Sequence, residues 1–193
     1  MIKQYDGAKA EKAAVKETLP AGAYVADIKN AEVVNYDWGD ILLISFDIAE
    51  GDFKGFFAND YRSNTSDNRK WRGTYRATIP DEKSQYFDNQ KRTFNGIMYA
   101  LEDSNDGYRF DWDETKLKGK KVGVAFRNKE WEYDGKSGWT TECAFLCDVE
   151  SVRNGSVKLP KDKPLNGSTS SNATSSAAPT PTAEVSVDDD LPF

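Results

Sequence analysis

Between Tyr61 and Arg76 the sequence sets cations and rings side by side: Tyr61, Arg62, Arg69, Lys70, Trp71, Arg72, Tyr75 and Arg76, against the single acid Asp67. Lys and Arg attract phosphates, and aromatic faces stack on unpaired bases, each stacked base being worth roughly 1–3 kcal/mol. Arg69-Lys70-Trp71-Arg72 brings both functions into four consecutive residues. A loop that only covered a core would have no need of so many arginines. A second set follows from strand parity. Val122, Val124 and Phe126 alternate as an inward face, which leaves Arg127, Lys129, Trp131 and Tyr133 together on the other. A bulge after Phe126 would reverse that assignment and send Trp131 into the core. The lysines at 116, 118, 120 and 121 are offset by Asp113 and Glu114 and read as a solvated turn. The chemistry on offer is the binding of a single nucleic-acid strand in any base order. No recognition-helix pattern for duplex edges is visible.

Catalytic chemistry has less support. Pro80-Asp81 followed by Glu114-Thr115-Lys116 spells the string in which two carboxylates hold Mg²⁺ and a lysine assists a water. That mechanism needs the two halves on neighbouring strands, whereas Pro80-Asp81 opens a polar loop and Glu114 to Lys116 precedes an apolar strand. Asp111-Trp112-Asp113 lacks the remaining ligands of a calcium loop. The chain has no histidine, and its two cysteines, Cys143 and Cys147, share one apolar run. They are too few for structural zinc and badly placed for a disulfide within one strand. Reduced core thiols in a cytoplasmic protein are the plain reading. The expectation is a non-enzyme with no catalytic residue, metal or cofactor. A Mg²⁺-dependent nuclease and a protein-only adaptor are the alternatives.

The last six residues are Asp188-Asp189-Asp190-Leu191-Pro192-Phe193. A terminal ring can fill an apolar pocket while its carboxylate meets a basic rim and the aspartates add longer-range attraction. Upstream, residues 166–182 are Ser, Thr, Ala, Asn, Gly and Pro with no charge and no ring. Such a segment buries too little apolar surface to offset its chain entropy and is expected to be disordered. An acidic run closing on Pro-Phe after a linker of this type resembles the bacterial single-stranded DNA-binding proteins. The resemblance implies that the tip docks replication, recombination or repair proteins. It departs from that family in lacking an apolar N-terminal first strand, the first strand here starting near residue 23, and in carrying an extra stretch before the helix. The chain is therefore more similar to the divergent versions carried by phages and mobile elements. A homo-oligomer is left open.

The elements that must position these residues are mostly strands. Of 193 residues, 12% are aromatic and 30% charged, and the formal charge is -6. Four of the 32 acids and none of the 26 bases lie in residues 166–193, so the remainder is nearly neutral. No apolar stretch approaches the roughly 18 residues of a membrane span, and the charged N-terminus does not read as a signal peptide. Tyr24, Ala26 and Ile28 alternate, and Ala31 and Val33 continue on the opposite parity, which predicts a bulge near Asn30. Asp37 to Asp40 is a turn, and Leu42, Ile44, Phe46 and Ile48 form an inward face. Phe56 to Tyr61 is expected as a third strand. Phe94, Ile97, Met98 and Leu101 fall on one helical stripe. A fourth strand runs from Val122 to Tyr133, a loop covers Asp134–Gly138, and a fifth strand runs from Trp139 to Val152. The order predicts a mainly β, OB-fold-like five-stranded barrel with one helix between strands 3 and 4. The organisation is then an extension over 1–20 with a short helix around Glu11–Leu19, a binding domain over 21–160, a disordered linker over 161–187 and the tip at 188–193.

Overall fold

Leu42, Ile44, Phe46 and Ile48 are all nearly inaccessible, and their alternation sets the inner face of the sheet. The computed structural model describes residues 18–165. The elements are β1 (Gly22–Tyr36), β2 (Gly39–Ile48), α1 (Phe56–Ser63), β3 (Thr74–Thr78), α2 (Phe87–Asp103), a 3-10 turn (Glu114–Leu117), β4 (Lys121–Tyr133), β5 (Lys136–Cys147) and α3 (Val149–Arg153). The fold is mainly β: one five-stranded antiparallel sheet in the order β3-β2-β1-β4-β5. β1 is the shared strand. Its first half pairs with β4 and most of its length with β2, and the register slips between Ile28 and Asn30, where the expected bulge bends it. The sheet curls so that β3 approaches β5, but no ladder joins them, and the barrel stays open along that seam. The helix α2 closes the core with Phe94, Ile97, Met98 and Leu101.

Three expectations are corrected. Phe56 to Tyr61 is not the third strand but most of α1. Its start is fixed from a distance: the buried Asp47 carboxylate accepts the Phe57 N–H at 2.9 Å and the Ile48 N–H at 3.0 Å, and Gly55 enters it at φ 74°. Phe57 then packs edge-on against Phe46 at 5.8 Å between ring centroids. The third strand is Thr74–Thr78. It docks through Gly73, whose carbonyl accepts the Phe46 N–H at 2.8 Å. A Cβ on Gly73 would stand 2.3 Å from the Phe46 carbonyl oxygen, so only glycine permits that approach.

The fifth strand is also displaced. A two-residue turn at Asp134-Gly135, φ 50° and 69°, replaces the longer loop and lets β5 start at Lys136. Beyond Cys147 the chain turns helical, because the Asp148 side chain accepts the Ser151 N–H at 2.7 Å and caps α3. Finally, residues 161–165, expected at the head of the linker, lie along β4. Lys163 forms a parallel bridge with Lys129. Residues 1–17, the linker from 166 onward and the tip Asp188–Phe193 lie outside the described residues, as does most of the N-terminal helix expected around Glu11–Leu19. Thr18 and Leu19 are not helical. Leu19 is buried in the core, its carbonyl bonded to the Thr141 hydroxyl at 2.8 Å.

Candidate nucleic-acid interface

The unpaired edges of β3 and β5 leave a groove of about 790 Å³ between them. Its floor is apolar, formed by Phe56 and Phe57 of α1, Tyr75 of β3, Phe126 of β4 and Cys143 of β5. Its walls are cationic and aromatic: Arg72 and Arg76 on one side, Arg127, Trp131 and Trp139 on the other. β3 alternates, so Ala77 is buried while Arg76 is exposed, and among the described residues Arg76 makes no ion pair. Arg72 is held by the Asp60 carboxylate of α1, its Nε 2.7 Å from Oδ2, and this fixes the guanidinium at the rim.

The β4–β5 ladder places Arg127 opposite Glu142, Lys129 opposite Thr140 and Trp131 opposite Gly138. Arg127, Lys129, Trp131 and Tyr133 therefore share the face opposite to Phe126. The register does slip between Ala125 and Phe126, but the extra residue is Ala144 on β5, so the alternation of β4 continues. Trp131 lies against Gly138, where a Cβ would meet the ring at 3.0 Å. The indole keeps 39% of its surface exposed, and Tyr133 keeps 81%. Glu142 gathers the local cations. Its Oε1 takes Arg127 Nη2 at 2.7 Å and Lys163 Nζ at 3.6 Å, and its Oε2 takes Lys129 Nζ at 3.0 Å. Partial burial pushes the Glu142 carboxyl up, but hydrogen bonds from Arg127 and Lys129 outweigh it and hold the group below its ordinary value. One carboxylate among three cations leaves a net positive surface.

Of the residues singled out from sequence, the groove brings together Arg72, Tyr75, Arg76, Arg127 and Trp131. Lys129 and Tyr133 extend the same β4 face. Tyr61, Arg62, Arg69, Lys70 and Trp71 do not line it. Arg69 sits 4.8 Å over the Tyr61 ring, and Arg62 donates to Asn59 Oδ1 at 3.5 Å. Trp71 is an anchor: half-buried, it donates its indole N–H to the Phe46 and Gly73 carbonyls at 3.0 and 3.1 Å. Sequence reasoning missed Trp139, which is 51% exposed in the groove wall, and also Glu142 and Lys163. The Asp-Gly turn was the available signal for Trp139, since it fixes the hairpin register. Burial raises both thiols, Cys143 far and Cys147 up to about 11, and neither is bonded to the other.

A second depression, about 580 Å³, lies at the β1–β2 turn. There Tyr36 and Trp38 stack at 5.0 Å, but Asp37, Asp40, Asp81 and Glu82 surround them, a field that repels phosphate. Pro80-Asp81 belongs to this rim, and Glu114–Lys116 belongs to the 3-10 turn, so neither half of the nuclease string is on a strand. The Lys116 ammonium is held by Asp111 and Asp113. No protein-family model matches the chain, and no curated protein sequence matches it either. Among the described residues no helix is long and apolar enough to cross a membrane.

Proposed function

We propose that this chain binds single-stranded DNA along the β3–β5 seam without reading base sequence, and that its acidic Pro-Phe tip recruits replication, recombination or repair proteins. The observation that carries the first half is the meeting of Arg72, Arg76 and Arg127 with Trp131 and Trp139 in one open groove. Cations follow the phosphates, the indoles stack on bases, and duplex DNA, whose bases are already stacked, gains little from such walls. The second half rests on the DDDLPF terminus. This reading assigns no catalytic residue, metal or cofactor, and it implies the cytoplasm as the working compartment.

The test is a fluorescence titration of the full chain with oligo-dT and with a duplex of equal length. Quenching of tryptophan by oligo-dT that weakens as salt rises is the expected result. Equal or tighter binding to the duplex overturns the groove assignment, and an absence of quenching leaves the protein-only adaptor. Mg²⁺-dependent cleavage of the oligonucleotide would instead restore the nuclease reading.

A further inference from the structure

After α3 the chain returns to the sheet and lays residues 162–165 beside β4, next to the stretch where β1 no longer covers its edge. The Lys163 N–H donates to the Asn128 carbonyl at 2.8 Å, and the Glu130 N–H donates to the Lys163 carbonyl at 3.0 Å. Asn128 Nδ2 donates to Asp162 Oδ1 at 3.0 Å, and the Leu165 N–H donates to Glu130 Oε2 at 3.1 Å. Four hydrogen bonds for four residues is more than a wandering segment makes. The parallel bridge puts Lys163 beside Lys129, and its ammonium stands 3.6 Å from Glu142 Oε1, in the cluster that already holds Arg127 and Lys129. Lys163 does not line the groove itself. It carries the positive surface of the β4 wall one strand further outward.

We infer that residues 162–165 are a strap belonging to the binding surface, and that Lys163 is a phosphate contact for the strand as it leaves the groove across β4. The inference rests on the single-strand reading given above. Arg127 and Lys129 share Glu142 with Lys163, so the third cation raises the cluster from one net positive charge to two and strengthens its pull on an anion. The occupant is the sugar-phosphate backbone, not a base, because the strap carries no aromatic residue on which a base could stack.

Lys163→Gln in the full chain, set against Lys158→Gln as an equal charge change away from the strap, tests this by oligo-dT titration at two salt concentrations. One phosphate contact on a single strand carries a salt exponent of about 0.7. Lys163→Gln should thus lose about eightfold in affinity at 50 mM salt and about threefold at 200 mM, and the salt slope should fall by about 0.7. Lys158→Gln should change neither quantity. Amide hydrogen exchange of the wild type should show Glu130 and Lys163 protected. If the wild type binds oligo-dT and Lys163→Gln matches Lys158→Gln, the strap has no part in binding. Rapid exchange at both amides overturns the docked strap. A wild type that binds no single strand fails the groove reading, a different result from either.

Discussion

The salt dependence of binding follows from how the seam's charges are already spent. Arg72 is neutralised by Asp60. Arg76 adds one positive charge, and the cluster of Arg127, Lys129 and Lys163 around Glu142 adds a net two. Three phosphates engaged on a single strand correspond to a slope of about -2.1 for log K against log salt. Raising salt from 50 to 200 mM should then weaken oligo-dT binding roughly 20-fold. Arg76→Gln should lower the slope to about -1.4. The assay is a fluorescence titration at four salt concentrations with one anion throughout. A slope shallower than about -1 means that the seam does not hold the backbone. A slope steeper than about -4 moves the contacts to Arg62, Arg69 and Lys70, outside the groove, and refutes the charge assignment made here.

Trp139→Ala should weaken oligo-dT binding by roughly 1–3 kcal/mol with the urea midpoint nearly unchanged, whereas Trp71→Ala, which strips an anchor bonded to two carbonyls, should lower stability by about 2 kcal/mol; the reverse pattern would exchange their roles. Gly73→Ala drives a Cβ into the Phe46 carbonyl and the Phe57 ring and should cost about 3 kcal/mol in a urea melt. Glu50 is held at a pKa of about 2, first by the Arg153 hydrogen bond and then by Lys121. Its folded pKa is depressed, so its stabilisation is present above about pH 4.5 and lost as pH falls towards 2; with 36% of the side chain exposed, Glu50→Gln should remove no more than about 1 kcal/mol at pH 7 and flatten that acid limb. Removing Leu191-Pro192-Phe193 should abolish partner capture in a pull-down while leaving oligo-dT affinity within about twofold, because the three aspartates that could reach a basic groove remain.

What was legible in the sequence was local. The parity switch after Ile28, the even-numbered face of β2, the stripe of α2 and the outward set Arg127, Lys129, Trp131 and Tyr133 each follow from side-chain period alone. What failed depended on partners far along the chain. Phe56-Phe57 reads as strand because bulky rings favour strands, and the Asp47 carboxylate that starts the helix sits ten residues upstream of Phe57. Trp71 looked like a stacking platform because its neighbours are cationic, and the carbonyls that hold it belong to β2 and Gly73. The end of β5 was misplaced by reading Val149 and Val152 as strand, although Asp148 and Ser151 already carried the capping spacing. The groove was half legible: its cations and Trp131 could be named, but the α1 floor and the Lys163 contribution exist only once distant segments meet.

The strap also has a mechanical meaning. It is attached in parallel to β4 by bonds whose net worth is about 0.5–1.5 kcal/mol each, while β4 and β5 are joined by eleven residue pairs. Tension applied beyond Leu165 and directed away from the sheet loads these bonds one at a time, the Leu165–Glu130 contact first and the Asp162–Asn128 contact last. The same tension directed along β4 loads all of them together. The strap thus yields to a peeling load well before the sheet does, and when it yields Lys163 leaves Glu142. A pull on the chain's C-terminal side is converted, at a threshold set by its direction, into the loss of one positive charge beside the seam.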